Sequence, residues 1–346
     1  MGSHVDRVPG GRQGEVGGKT VPSRGIFDVW YQDQIISYPD ITHPFRRRAD
    51  ASRRFLDEFT KPGLVIYNDS PVSGDYKQGD ILVINKPPWI HSHGNGKQPP
   101  YGIAELVQIA TRNQGVFNGH RLDRDTTGVL VLGKNRNALA SLNGQFDHTR
   151  GAHEVSKTYV ALVEGKWVPE IAGVVAPIGR SLQARDLQRV VEPLALAHDA
   201  LSGRTLQVTT DDNGESEEQA ARIPEDNGKM SATGTRVLAY LTDVHGKKWT
   251  LMRIKLFTGR THQIRVVTSY MDHPVMGDPQ YNPKPEGADR QLLHSFELSL
   301  RKPRTAPQAN ARLTFRAPLP GDFRTVLEGM KVDKVVDDLY HEVMTA

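Results

Sequence analysis

Cysteine is absent from the 346-residue chain. That excludes disulfides, thiolate-bound zinc, iron–sulfur clusters and every cysteine nucleophile. Long apolar runs are absent as well. No stretch reaches the roughly 18 consecutive apolar residues of a membrane helix, and Met1 to Val21 holds no apolar segment of a secretory signal. Nor is there a Gly-x-Ser-x-Gly elbow or a dinucleotide fingerprint. Gly94-Asn-Gly96-Lys97 lacks the phosphate-loop spacing and the Ser or Thr that follows it. These absences point to an intracellular protein, cytoplasmic in first place with organelle and nucleus left open, that uses no nucleotide cofactor.

What remains is modest in apolar content, 37% hydrophobic, but sufficient for a core. The 32 glycines and 22 prolines imply many turns. The net charge is +4. Between Thr205 and Met230 seven acids face only two bases (Arg222, Lys229), so the rest of the chain is more basic than the total suggests. A basic body permits a polyanionic partner. The residues up to about Lys61 read as irregular. They carry five arginines, Arg46, Arg47, Arg48, Arg53 and Arg54, which suit either a solvated helix face or a phosphate-binding patch.

The element signals sharpen from Asp80. Asp80 to Asn85 is an apolar run stopped by Lys86-Pro87-Pro88, the pattern of a buried strand. Ile103, Leu106, Val107 and Ala110 fall at helical spacing. Strands are expected at Gly128–Gly133, Lys157–Gly165, around Met252–Leu256, Leu292–Leu300 and Ala311–Ala317. Helices are expected at Asn137–Phe146 and from Thr261, as N-cap, to Met271. The polar stretch from about Ser181 to Ser231 reads as a flexible surface insertion. Strands and helices mix without a strand–helix–strand repeat. The fold class is therefore α+β, with a mixed, mainly antiparallel sheet and flanking helices.

Chemistry concentrates in His120-Arg-Leu-Asp-Arg-Asp-Thr-Thr-Gly128, just before a buried strand. Asp123 lies between Arg121 and Arg124, and nearby cations keep a carboxylate ionised. An ionised, partly desolvated carboxylate serves as nucleophile or base. The same Asp could also cap a turn or pair with arginine. Asp123 with Asp125 as a glycosidase-like acid/base pair fits poorly, because residues i and i+2 of a loop rarely face each other across a sugar. His91-Ser-His93 has no third ligand nearby and reads as a polar loop rather than a metal site.

The 120–128 string resembles the signature of the RluA-type RNA pseudouridine synthases, His-Arg-Leu-Asp-x-x-Thr-Ser-Gly. Other strings continue the resemblance in the family's order: Asn85-Lys-Pro87, Lys157-Thr-Tyr159, Thr258-Gly-Arg-Thr-His-Gln-Ile-Arg-Val266, His273-Pro-Val-Met-Gly-Asp278 with Tyr281, Leu293-His294, and Ala317-Pro-Leu-Pro320. It covers about residues 78–180 and 231–330. Thr127 stands for the usual Ser, Val267 where His is common and Asp272 where Gly is common. The last two lie where they could alter substrate contacts.

The resemblance implies a pseudouridine synthase fold and the isomerisation of uridines in rRNA or tRNA, without cofactor or metal. It implies Asp123 as the catalytic carboxylate, Tyr159 packed on the uracil and aiding proton transfer, and Arg265 paired with Asp123. His120, Arg121, Thr126, Arg260, His262 and Gln263 are its candidate substrate contacts, with Arg121 and Arg260 either on RNA phosphates or structural. The division expected is a basic extension at 1–62, a catalytic domain at 63–330 interrupted at about 181–230, and a tail at 331–346. A monomer with RNA as partner and no membrane is expected. A non-catalytic RNA-binding or ribosome-assembly factor on the same fold is the alternative.

Overall fold

The computed structural model describes four short strands near the N-terminus and residues 44–94, 101–147, 155–181, 187–191, 195–197, 228–303 and 311–345. The strands β1 (Gln13–Val16) and β2 (Lys19–Pro22) form one hairpin, β3 (Val29–Tyr31) and β4 (Gln34–Ile36) another. Helix α1 (Pro44–Glu58) follows, then β5 (Val65–Asn68), β6 (Ile81–Lys86), α2 (Ile103–Thr111), β7 (Phe117–Asn118) and β8 (Thr127–Gly133). Next come α3 (Arg136–Phe146), β9 (Ser156–Glu164), β10 (Ile171–Arg180), β11 (Gln188–Val190), β12 (Ala195–Ala197), β13 (Lys229–Thr242) and β14 (Lys248–Leu256). The chain closes with α4 (Gln263–Tyr270), β15 (Leu293–Arg301), β16 (Arg312–Arg316), α5 (Gly321–Glu328), β17 (Lys331–Val335) and α6 (Leu339–Thr345).

Thirteen strands form one sheet, whose main path runs β11-β10-β13-β14-β9-β15-β8-β6-β5. All of its pairings are antiparallel except β8 with β15. Two strands change partner along their length. The first half of β13 pairs with β10 and its last residues with β17, across an irregularity at Val237/Ala239. The start of β15 lies parallel to β8, and its continuation pairs with β16 beyond an irregularity at Ser295/Glu297. An extra residue bends a strand and lets it leave one neighbour for another. The resulting fork at β15 places the end of the 120–127 loop beside His294 and Ser295.

The central strands are buried on both faces, which is why they read as continuous apolar runs. Along β6, Leu82 and Ile84 enter one core while Ile81 and Val83 enter another. Along β9, Tyr159, Ala161 and Val163 share the first of these cores, and Val160 and Leu162 point to the opposite side. Tyr159 thus stands on the sheet face that also receives Ile264, Val266 and Val267 of α4.

The segment before Lys61 was read as irregular, with its arginine run either a solvated helix face or a phosphate patch; the run is helical, in α1. Ser52 and Phe55 of α1, with Phe59 just beyond it, are buried at helical spacing, and both rings join the main core. Two aromatics among five arginines made the stripe too thin to read. Residues 331–345 are not a free tail: β17 pairs with β13, and Val343 of α6 is buried beside Phe323 of α5. The acidic stretch from Thr205 to Asn227 lies outside the described residues.

Candidate active site

The loop carrying Asp123 is tied down from below. Lys86, at the end of β6, is fully buried and donates to the carbonyls of Pro87 at 2.9 Å, Arg124 at 2.8 Å and Thr126 at 2.9 Å. All three ammonium protons are used. Burial pushes its pKa down to about 7, so those three acceptors are what keep the amine placed. The role of Lys86 was invisible in the sequence beyond its position before proline. The far end of the loop is fixed by β8. Thr127 Oγ1 meets His294 Nδ1 at 2.8 Å, and His294 Nε2 donates to the Ala317 carbonyl at 3.0 Å. A hydroxyl is what position 127 requires, and Thr supplies it as Ser would. Gly128 has φ +107, and a Cβ there would stand 2.2 Å from the Ser295 carbonyl oxygen. Only glycine fits the parallel approach of β8 to β15.

Between these anchors Asp123 projects to the surface, about one-fifth exposed. Its Oδ2 accepts from Arg265 Nη1 at 3.1 Å. Arg265 lies on α4, 3% exposed, and is held on its other edge by Asp278, with Nε to Oδ2 at 2.6 Å and Nη2 to Oδ1 at 2.8 Å. Gln280 Oε1 accepts a further bond at 2.7 Å. Burial works against the guanidinium charge, but the Asp278 and Asp123 carboxylates outweigh it and raise the pKa of Arg265 above its ordinary value. The expected Asp123–Arg265 pair is present. Asp278, which no composition rule would single out, is the group that aims Arg265.

Asp125, two residues on, has a different task. Its carboxylate is occupied in bidentate fashion by Arg124, at 2.8 and 2.7 Å, and its carbonyl by Arg290 Nη1 at 3.0 Å. It does not face Asp123 as an acid/base partner would.

A cavity of about 240 Å³ opens beside Asp123, lined by Tyr159, Leu256, Ile264 and Leu293 and closed at the rim by Arg121 and Arg260. It is large enough for one pyrimidine base. The Tyr159 phenol is pushed above the usual tyrosine range by burial first and by the charge of Asp123 second. It therefore stays protonated at neutral pH. Lys157, also in the wall, is lowered to about 8 by burial.

The third string folds into a turn whose centre is Gln263. The carboxamide oxygen of Gln263 accepts from Thr258 Oγ1 at 2.8 Å and from the Arg260 amide at 3.0 Å. Its nitrogen donates to the Ala232 carbonyl at 3.1 Å and to Thr233 Oγ1 at 2.9 Å. Every capacity of that side chain is spent inside the fold, although Gln263 also lines the cavity. Thr261 does not cap α4 either. His262, at φ +56, occupies the N-cap position and the helix begins at Gln263. Arg260 donates Nε to the Met230 carbonyl at 2.9 Å, the structural alternative, while still lining the cavity. His120 is held neutral, its pKa lowered to about 3 by burial, and its Nε2 accepts from the Val131 amide at 3.1 Å. Thr126 is 2% exposed, and its hydroxyl accepts from Gln291 Nε2 at 3.3 Å. Arg121 alone of the six stays exposed, on the rim.

His262 belongs to a relay that the sequence did not disclose. The Gln188 amide donates to Tyr281 Oη at 2.8 Å, and Tyr281 Oη meets His262 Nδ1 at 2.8 Å. With the amide filling an acceptor position on the phenol, the phenol proton goes to Nδ1. The Nε2 proton then faces Asp123 Oδ1, 3.8 Å away. Burial lowers the His262 pKa despite the nearby Asp123. Of the two departures, Val267 is fully buried in the core, and Asp272 has φ +61 just past the end of α4, a position that favours glycine and tolerates Asp. Neither lines the cavity, so they do not act as substrate contacts there. Among the described residues no three His, Asp or Glu side chains gather as metal ligands, and no helix is long and apolar enough to cross a membrane.

This chain is similar to known proteins. The family model for RNA pseudouridylate synthase matches residues 80–270. Ribosomal large subunit pseudouridine synthase C of Haemophilus ducreyi is 31% identical over 268 residues, covering 75% of this chain and 69% of the relative. Ribosomal large subunit pseudouridine synthase D of Nitrosomonas europaea is 32% identical over 272 residues, covering 74% and 64%. Among solved structures, human RNA Pseudouridylate Synthase Domain Containing 4 superposes with a TM-score of 0.57 at 20% identity, over 82% of this chain and 98% of that one, which shows a shared fold. With the matched region spanning both the Asp123 loop and α4, the chain belongs to the RNA pseudouridylate synthase family, isomerases that convert uridine in RNA to pseudouridine.

Proposed function

We propose that this protein isomerises a loop uridine of large-subunit ribosomal RNA, with Asp123 as the catalytic carboxylate. The observation that carries the proposal is the Asp278–Arg265–Asp123 arrangement, a buried guanidinium saturated on one edge and offering the other to the one carboxylate at the cavity mouth. The reaction breaks the ribose C1′–N1 bond and forms C1′–C5. The C5 hydrogen leaves and N1 gains one, so atoms balance without an oxidant or a cofactor. Asp123 attacks the sugar or the base, oriented at the cavity mouth by its hydrogen bond from Arg265. Tyr159 packs on the uracil and, as a protonated phenol, donates a hydrogen bond during proton transfer.

A uridine must leave its stack to reach this cavity, which costs least in an unpaired loop. The relatives named for the ribosomal large subunit favour rRNA over tRNA as the polymer. The protein acts as a cytoplasmic monomer, and its basic N-terminal region adds to the RNA footprint. In that region Arg53 and Arg54 are exposed, whereas Arg48 is buried and donates to the Tyr101 carbonyl at 3.2 Å. An assembly factor without turnover would have no use for a caged Arg265.

The test is tritium release from unmodified ribosomal RNA labelled at uridine C5, with wild type beside Asp123→Asn. Release by wild type alone supports the reading. Equal release from both overturns the role of Asp123, and release from neither overturns the rRNA substrate.

A further inference from the structure

Asp123 stands between two cavities. The second, about 740 Å³, shares Arg121, Asp123, His262 and Arg265 with the first, but its other walls are polar: His91, Arg124, Arg180 and Gln291. Three observations say what it takes. Arg121 and Arg180 reach it from the catalytic loop and from the end of β10, and neither forms an ion pair among the described residues, whereas Arg124 is held by Asp125. Two unpaired guanidiniums on one rim suit phosphate oxygens.

Gln291 gives the second observation. It is 1% exposed, and its Nε2 donates to Thr126 Oγ1, yet its Oε1 has no hydrogen-bond partner among the described residues. A buried acceptor left unpaired is costly and calls for a donor. His91 is the third. It is exposed, and burial of part of its ring together with Arg48, Arg124 and Lys86 lowers its pKa to about 4. It is therefore a neutral, flat ring, suited to a base rather than to phosphate. The loop that carries it is rigid, because Ser92 Oγ donates to the Leu122 carbonyl at 2.6 Å and accepts from the Leu122 amide at 2.9 Å.

We propose that the wide cavity is a second nucleotide subsite, which holds the nucleotide next to the target uridine with its phosphate on Arg121 and Arg180 and its base against His91, the base's amino group donating to Gln291. The inference rests on the synthase reading above and extends it to sequence choice. Adenine, cytosine and guanine carry an exocyclic amino group, and uracil does not. Uracil's one base donor, the ring N3–H, is recessed between two carbonyls that would face Gln291 Oε1, so the subsite disfavours uridine at one flanking position.

The experiment first locates the modified uridine in transcripts of unmodified large-subunit ribosomal RNA by carbodiimide mapping. The two neighbours of that uridine are then randomised, and conversion of each sequence is counted. Wild type is expected to disfavour uridine at one flanking position by about tenfold. Gln291→Met and, on the exposed loop, His91→Ala flatten that bias. Arg180→Gln lowers conversion of all sequences alike and leaves the bias in place. A wild-type enzyme indifferent to both neighbours, or a bias that survives both Gln291→Met and His91→Ala, overturns the subsite. Absence of pseudouridine from every transcript overturns the underlying rRNA reading instead.

Discussion

The loop before β8 has two halves that look alike in sequence and differ in every physical respect. Around Asp123 the carboxylate is partly exposed, meets its cation through a single bond at 3.1 Å and borders two cavities. From Asp125 to Gly128 the groups face inward and are saturated, by Arg124, Arg290, Lys86, Gln291 and His294. A group able to react is one the fold has left with spare valence. The groups beside it are spent on holding it still.

The sharpest way to break that contrast is to neutralise each carboxylate in turn. Asp123→Asn should cut turnover by about a thousandfold or more with no loss of fold. Asp125→Asn should cost stability and leave turnover within roughly tenfold. Single-turnover assays beside thermal unfolding of each variant check this, and equal catalytic losses would erase the distinction.

The next largest effect tests the inward half alone. Gly128→Ala forces a Cβ against the Ser295 carbonyl at a left-handed φ and should destabilise the protein by roughly 2–4 kcal/mol. A urea midpoint unchanged from wild type would show that β8 and β15 can separate at no cost.

The third prediction concerns pH. Burial lowers His294 from 6.5 to about 4. A histidine depressed in the native state binds fewer protons there than in the unfolded chain between those values. Stability is therefore full above about pH 6.5 and falls as the pH drops toward 4, by up to about 3 kcal/mol for this one group. Denaturant unfolding measured between pH 7 and 4 should show a shallower fall in His294→Gln than in wild type.

The smallest effect probes the outward half. Tyr281→Phe removes the donor to His262 Nδ1 and frees that nitrogen to take a proton beside Asp123. The variant should lose severalfold in kcat on the acid side of its profile and little at neutral pH. A second substitution, His262→Gln, should abolish that acid limb. An acid limb that persists in the double variant would place the titrating group elsewhere.

Much of this was legible in the chain. The apolar runs at 81–86, 128–133 and 157–164 are strands because their side chains are buried on both faces, and burial on both faces leaves a continuous apolar string. The helix at 103–111 follows from its spacing. Asp123, Tyr159 and Arg265 stand in strings ordered along the chain, and the fold brings Asp123 into hydrogen-bond contact with Arg265 and lines one cavity with all three. The buried stripe of helix α1 was missed because arginines outnumber Phe55 and Phe59, the two aromatics that anchor this segment. The internal bonds of Gln263 were hidden because a polar residue in a motif reads the same whether its amide faces a ligand or a backbone.

The sequence by itself determined the chemistry available: no thiol, a basic body, a carboxylate among arginines, and an α+β chain built on a mainly antiparallel sheet. Only the tertiary structure decided which polar groups were left over. Asp278 and Gln280 lock Arg265, Lys86 locks the loop, and Gln188 reaches Tyr281 from the far side of β10. The physical reason is that hydrogen-bond saturation is a property of neighbours in space. Sequence spacing reports neighbours only along a strand or a helix.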